Sequence, residues 1–175
     1  MTNFYSSDTH FFHKNILRLS NRPFKNIREM ANRIIKNWNN IVTSKDTVYI
    51  LGDVAMISKS QGDKLESIIN KLNGKKILIM GNHDEMNPTQ YIRAGFDQII
   101  YPYLEVQPKW YCYHDPALYT NFNTNAEVHL VGHVHNLFKI LPDQKMINVG
   151  MDVWDYYPVK EEQIKEIIEG WNNEN

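Results

Sequence analysis

Four short apolar runs, each followed closely by Gly, Asn, Asp or His, constrain this fold more than any other feature of the chain. Thr47-Val48-Tyr49-Ile50-Leu51, Lys76-Ile77-Leu78-Ile79-Met80, Trp110 to Tyr113 and Val128-His129-Leu130-Val131 read as buried strands. Ahead of the first run, Ile27, Met30, Ile34, Trp38 and Ile41 recur three or four residues apart, which places them on one face of an amphipathic helix. A second helix is expected from Asp63 to Leu72, stopped by Asn73-Gly74. Asn87-Pro88 opens a short helix over Gln90 to Ala94, and a further helix follows Pro158, with Val159, Ile164, Ile167 and Ile168 as its stripe before Gly170. Strands alternate with helices early and dominate later, which predicts an α/β sandwich with mixed sheets rather than a purely doubly wound fold.

With 175 residues, 42% of them hydrophobic, the chain can close one core, and no linker, repeat or low-complexity tract divides it. A single domain over 1–175 is the expectation. A net charge of −1 leaves no cationic excess to hold long duplex nucleic acid by its phosphates, although small phosphorylated ligands remain open. The lone Cys112 excludes an internal disulfide and a tetrathiolate metal site. Neither a signal-like start nor a membrane-length apolar run is present, so the chain reads as cytoplasmic with no membrane partner. Oligomeric state is not readable.

The polar residues gather where α/β proteins place ligand loops, at the carboxyl ends of the strands. In order they are Asp8-Thr9-His10, Gly52-Asp53, Gly81-Asn82-His83-Asp84, His114-Asp115 and Gly132-His133-Val134-His135. Five of the seven histidines fall in these clusters, a concentration that core packing alone would not produce. Imidazoles with carboxylates suit Mn, Fe, Zn, Ni or Co rather than Mg or Ca, which want oxygen donors only. Taken singly, Asp8 could cap a turn, Gly52-Asp53 is an ordinary turn pair, and His114 could be structural. The run Gly81-Asn82-His83-Asp84 differs, since such a string arises by chance in roughly one chain of this length in a thousand.

D-x-H, G-D, G-N-H-D, a lone His after a strand and G-H-x-H, in this order, resemble the calcineurin-like metallophosphoesterase superfamily from Asp8 to His135. Ser7 to Phe11, with Asn21-Arg22-Pro23-Phe24 behind it and Asn148-Val149-Gly150-Met151-Asp152-Val153-Trp154 near the end, is further similar to a group of small bacterial and phage members. The resemblance implies a four-layer α-β-β-α sandwich of two mixed sheets, with a site for two divalent transition-metal ions at the strand carboxyl ends. Manganese is expected, with Fe, Ni, Zn or Co as alternatives. Carried over residue by residue, Asp8, His10, Asp53 and His135 would hold one ion, and Asp53, Asn82, His114 and His133 the other, with Asp53 bridging. A bridging hydroxide would then be the nucleophile. His83 would give a proton to the leaving oxygen, with Asp84 orienting its ring.

His13 and Arg22 follow the first ligand loop, where an Arg22 guanidinium could grip a substrate phosphate or merely cap a helix. Tyr101, Tyr103, Trp110, Tyr111 and Tyr113 could stack a base or fill a core; Cys112 reads as a small buried thiol and His129 as structural. The leading expectation is hydrolysis of a small phosphodiester, a nucleotide or cyclic nucleotide. A phosphomonoesterase and a catalytically inactive scaffold of the same fold are the alternatives.

Overall fold

The computed structural model describes residues 1–121 and 125–173. Strands β1 (Asn3–Ser6), β2 (Thr47–Ile50), β3 (Lys75–Ile79) and β4 (Gln98–Ile100) run parallel in the first sheet, and β10 (Val159–Lys160) closes its other edge antiparallel to β1. The second sheet has the order β5 (Tyr103–Gln107), β6 (Trp110–Tyr113), β7 (Val128–Val131), β9 (Met146–Asn148), β8 (Ile140–Leu141), parallel in its middle and antiparallel at both edges. The architecture is a sandwich of two mixed five-stranded sheets, as the resemblance implies.

Side-chain alternation decides which layer each strand serves. Phe4, Val48, Ile50 and Leu78 face the helices α1 (Ile16–Leu19), α2 (Ile27–Ile41), α3 (Gly62–Ile69) and α4 (Pro88–Ala94) in one core, with Met30, Ile34 and Trp38 among their partners. Tyr5, Leu51 and Ile79 point the other way, into a second core with Trp110, Cys112, Val128 and Leu130 of the facing sheet and Ile164 and Ile168 of α5 (Glu161–Asn173). On the far side of the second sheet, Tyr113, Val131 and Met146 meet Leu118 and Tyr119 of a 3-10 turn over Pro116–Asn121.

The expected strands and the 27–41 helix are present. Asn26 caps α2 by accepting from the Arg28 and Glu29 N–H groups, and Asn87 with Gln90 forms a reciprocal capping box on α4. Two helices differ from expectation in extent. Helix α3 ends at Ile69 rather than Leu72. Val159 belongs to β10, pairing with Tyr5, and α5 runs through Gly170, where a Cβ would meet nothing within 4 Å and no turn is imposed. Cys112 and Trp110 are buried core residues, and His129 lies buried among the Tyr111, Tyr113 and Tyr119 rings. Burial, with Lys145 nearby, pushes the His129 imidazole down to about 4, so it stays neutral near neutral pH. Among the described residues, no helix is long and apolar enough to cross a membrane.

In the first sheet, Ser6 pairs with Ile50 and Ile50 with Leu78, so the loops after β1, β2 and β3 leave side by side. A parallel bridge from Ser7 to Gly150 joins that edge to the end of β9. The carboxyl ends of both sheets are thereby stitched together at one place.

Candidate metal centre

The loops after the strands turn back sharply. Asp8, His10, Asp53, His133 and His135 all have φ between 47° and 71°, the left-handed region that costs a non-glycine residue on the order of 1–2 kcal/mol. The cost is tolerated because neighbouring loops lock the turns. Asp8 N–H donates to the Gly52 carbonyl at 3.1 Å, His10 N–H to Asp53 at 3.0 Å and Phe11 N–H to Val54 at 2.9 Å, while Thr9 Oγ1 donates to Val54 at 2.8 Å. Two glycines permit the close approach. A Cβ on Gly132 would lie 2.7 Å from Asp8 Oδ2, and one on Gly81 would lie 2.7 Å from the Asp53 nitrogen.

Two groups of ligand atoms result. Asp8, His10 and His135 form the first and Asp53, His114 and His133 the second, and within each group the candidate atoms lie within 4.8 Å of one another. Asp53 reaches toward both: its Oδ2 is 3.5 Å from His10 Nε2, and its Oδ1 is 3.4 Å from His114 Nε2. Asn82 Oδ1 completes the second group, 3.0 Å from His114 Nε2 and 2.9 Å from His133 Nδ1. All seven residues expected to bind metal therefore converge.

These donors fit cations. Asp8 Oδ1 and His10 Nε2 are buried without a hydrogen-bond partner and stand 3.6 Å apart, facing one another. In the second group a carbonyl oxygen and two ring nitrogens crowd together, with the nitrogens 3.3 Å apart. Such convergence of lone pairs calls for a positive charge between them. The charges around these residues act in the same sense. Burial pushes His114 down, but contact with Asp53 and the charges of Asp8 and Asp53 outweigh it and lift the ring to about 9. Burial raises Asp53, yet contact with His114 and the His83 N–H hold its carboxyl down to about 2. His114 Nδ1–H donates to the Leu51 carbonyl at 2.7 Å, which aims Nε2 at the centre.

The remaining predicted residues divide. His83 projects beside the centre with its side chain 40% exposed and its Nε2 3.9 Å from Asp53 Oδ2. His13 is partly exposed, its Nδ1 3.2 Å from His10 Nδ1 and its ring centroid 6.4 Å from that of His83. Asp84 does not orient the His83 ring. Its buried carboxylate accepts from the Asp53 and Gly81 N–H groups at 2.8 Å and from Val54 at 3.1 Å, bracing the backbone beneath the centre. Arg22 does not face a substrate either. Its fully buried guanidinium donates to both Asp152 oxygens at 2.8 Å, to the Asp8 carbonyl at 2.7 Å, to Thr9 at 3.2 Å and to Met30 Sδ at 3.4 Å. Every N–H of that guanidinium is spent internally.

Asp152 itself had no assigned role in the sequence reading. Its Oδ2 accepts from His135 Nδ1 at 2.9 Å, behind the first group. The only signal was its place in the Asn148–Trp154 string.

The calcineurin-like phosphoesterase family model matches residues 5–171. The chain belongs to this family. An uncharacterized protein of Methanocaldococcus jannaschii is 37% identical over 167 residues, covering 93% of this chain and 89% of that protein. The Gene 66 protein of Mycobacterium phage L5 is 33% identical over a shorter stretch, 48% of this chain and 40% of that one. Among solved structures, a protein of unknown function from Aquifex aeolicus superposes with a TM-score of 0.73 at 28% identity, covering 95% of this chain and 98% of its own. A Pseudomonas putida nuclease shares the fold with a TM-score of 0.51 at 18% identity, over 76% of this chain and 61% of its own. Membership of a phosphoesterase family makes hydrolysis of phosphoesters the general activity, and two Asp/His clusters are available for metal.

Proposed function

We propose that this calcineurin-like phosphoesterase hydrolyses a small phosphodiester, a nucleotide or cyclic nucleotide, using two divalent ions held by Asp8, His10, Asp53, Asn82, His114, His133 and His135. The reach of Asp53 toward His10 on one side and His114 on the other carries this reading, because one carboxylate between the two groups would serve both cations. Bound there, the ions supply Lewis-acid activation of water and of the phosphoryl oxygens. Manganese suits the mixed imidazole and carboxylate donors, with Fe, Ni, Zn or Co as alternatives.

The chain's own residues supply the rest. Asn82 offers a neutral carbonyl oxygen, which retains positive charge facing the transferred phosphoryl group. His83, beside Asp53, gives its proton to the leaving ester oxygen as the P–O bond breaks, while the oxygen of a water that has lost one proton to solvent forms the new bond to phosphorus, and a solvent proton then recharges His83. His13, on the same side, contacts the substrate. A chain with a net charge of −1 gains positive potential only at the centre, which favours compact anions over long duplexes. The lone buried thiol suits a cytoplasmic protein.

Manganese-loaded protein is expected to cleave bis-p-nitrophenyl phosphate faster than p-nitrophenyl phosphate, and then a subset of cyclic and linear nucleotides. The opposite order would make it a phosphomonoesterase, and no turnover of either would make it a scaffold. His83→Ala is expected to lower turnover of a nucleotide with a poor leaving group by roughly 10²–10⁴-fold while leaving metal content unchanged. Full activity in that variant would remove His83 from the mechanism.

A further inference from the structure

The strings Asn21-Arg22-Pro23-Phe24 and Asn148 to Trp154 lie far apart in sequence, yet Arg22 and Asp152 meet as a buried ion pair with side chains 0% and 2% exposed. We infer that this pair is a positioning unit dedicated to the first group of ligands, resting on the two-cation reading above. Three contacts carry the inference. Asp152 Oδ2 accepts a hydrogen bond from His135 Nδ1–H at 2.9 Å, which leaves His135 Nε2 with its lone pair for the centre. The His10 and His135 rings lie stacked, with centroids 5.1 Å apart. Arg22, while gripping Asp152 with two N–H groups, also binds the main-chain carbonyls of Asp8 and Thr9, and so fixes the left-handed loop that carries Asp8 and His10. One guanidinium therefore sets the backbone of two ligands and, through Asp152, the ring orientation of the third.

The second group is supported differently. His114 is held by the Leu51 carbonyl, and Asp53 by N–H groups and the Asp84 carboxylate beneath it. Among the described residues, neither Arg22 nor Asp152 has a hydrogen bond to Asp53, Asn82, His114 or His133; the link to that group is one step removed, through the His133 N–H to Asp8 Oδ2 at 2.9 Å and the His10 N–H to the Asp53 carbonyl at 3.0 Å. The pair should thus act directly on one cation and only secondarily on the other. This selectivity separates a positioning role from general structural support, which would weaken both sites together.

Manganese binding to the whole chain, followed by equilibrium dialysis and by electron paramagnetic resonance, tests this. The wild-type protein is expected to bind two ions and to show the spectrum of a coupled pair. Asp152→Asn is expected to weaken one site by about 10–100-fold, change the other by far less and convert the spectrum to that of an isolated ion. Arg22→Met/Asp152→Leu leaves no buried charge unpaired, and serves where the single substitution impairs folding. It should show the same one-sided loss. Variants that keep both affinities, or lose both equally, would overturn the inference. Wild-type protein that binds fewer than two ions would instead overturn the two-cation reading.

Discussion

Two buried carboxylates stand behind the two halves of the centre, and they are held in opposite ways. Asp84 lies under Asp53 and Gly81 and accepts three backbone N–H groups. Asp152 lies behind His135 and is paired with a guanidinium. Burial raises both. At Asp84, burial and the nearby Asp53 charge win over the N–H groups and its carboxyl titrates high. At Asp152, His135 and Arg22 reverse the effect and its carboxyl titrates low. The difference teaches that one half is fixed by main-chain geometry, which depends little on distant sequence, and the other by a charge pair between segments 130 residues apart.

The residue shared by both halves offers the largest effect. Asp53→Asn is expected to weaken both cation sites and to reduce turnover by at least about 10²-fold, the loss seen for a single group stabilising charge in a transition state. A variant that still binds two ions tightly would show that the halves are independent. Stability sharpens the contrast next. Asp152→Asn strands a buried guanidinium and should cost about 3–5 kcal/mol, though the Asp8 and Thr9 carbonyls hold it toward the lower end. Asp84→Asn sets an amide N–H against main-chain donors, a cost of about 1–3 kcal/mol, partly offset because no buried charge remains. Denaturant melts of the metal-free proteins should rank the two in that order; the reverse ranking would mean that the ion pair contributes less than the N–H cradle.

The smallest effect comes from a third carboxylate, remote from the centre. Asp46 accepts from Thr43 Oγ1 and from the Thr43 and Thr2 N–H groups, which hold it down to about 2 from the usual 3.8. A lowered carboxyl stabilises the fold above its unfolded value and loses that contribution as pH falls through its folded one. Asp46→Asn should therefore reduce stability at pH 7, with the gap to the wild type closing between about pH 4 and 2 and metal affinity unchanged. A gap that does not depend on pH would show that Asp46 acts through shape alone.

The strands, the 27–41 helix and the ligand loops were legible because local patterns carry them: apolar runs, spacing of three or four, and polar strings at strand ends. Arg22 and Asp84 were misread for one physical reason. A charged residue near a ligand loop looks the same in sequence whether it faces solvent or is turned inward, and what turned these two inward was a partner elsewhere: Asp152 for Arg22, and the N–H groups of Asp53 and Val54 for Asp84. Val159 and Gly170 were misplaced for a milder version of it. Pairing with Tyr5 recruits Val159 to a sheet edge, and Gly170 stays outside the left-handed region that would end the helix.

The left-handed turns at the strand ends place heat resistance and chemistry in competition. His133, with φ at 71°, occupies a backbone conformation that glycine would adopt without steric strain. A library sorted only for survival of heating in the presence of chelator would thus enrich glycine at that position, whereas one sorted for product formation would return histidine.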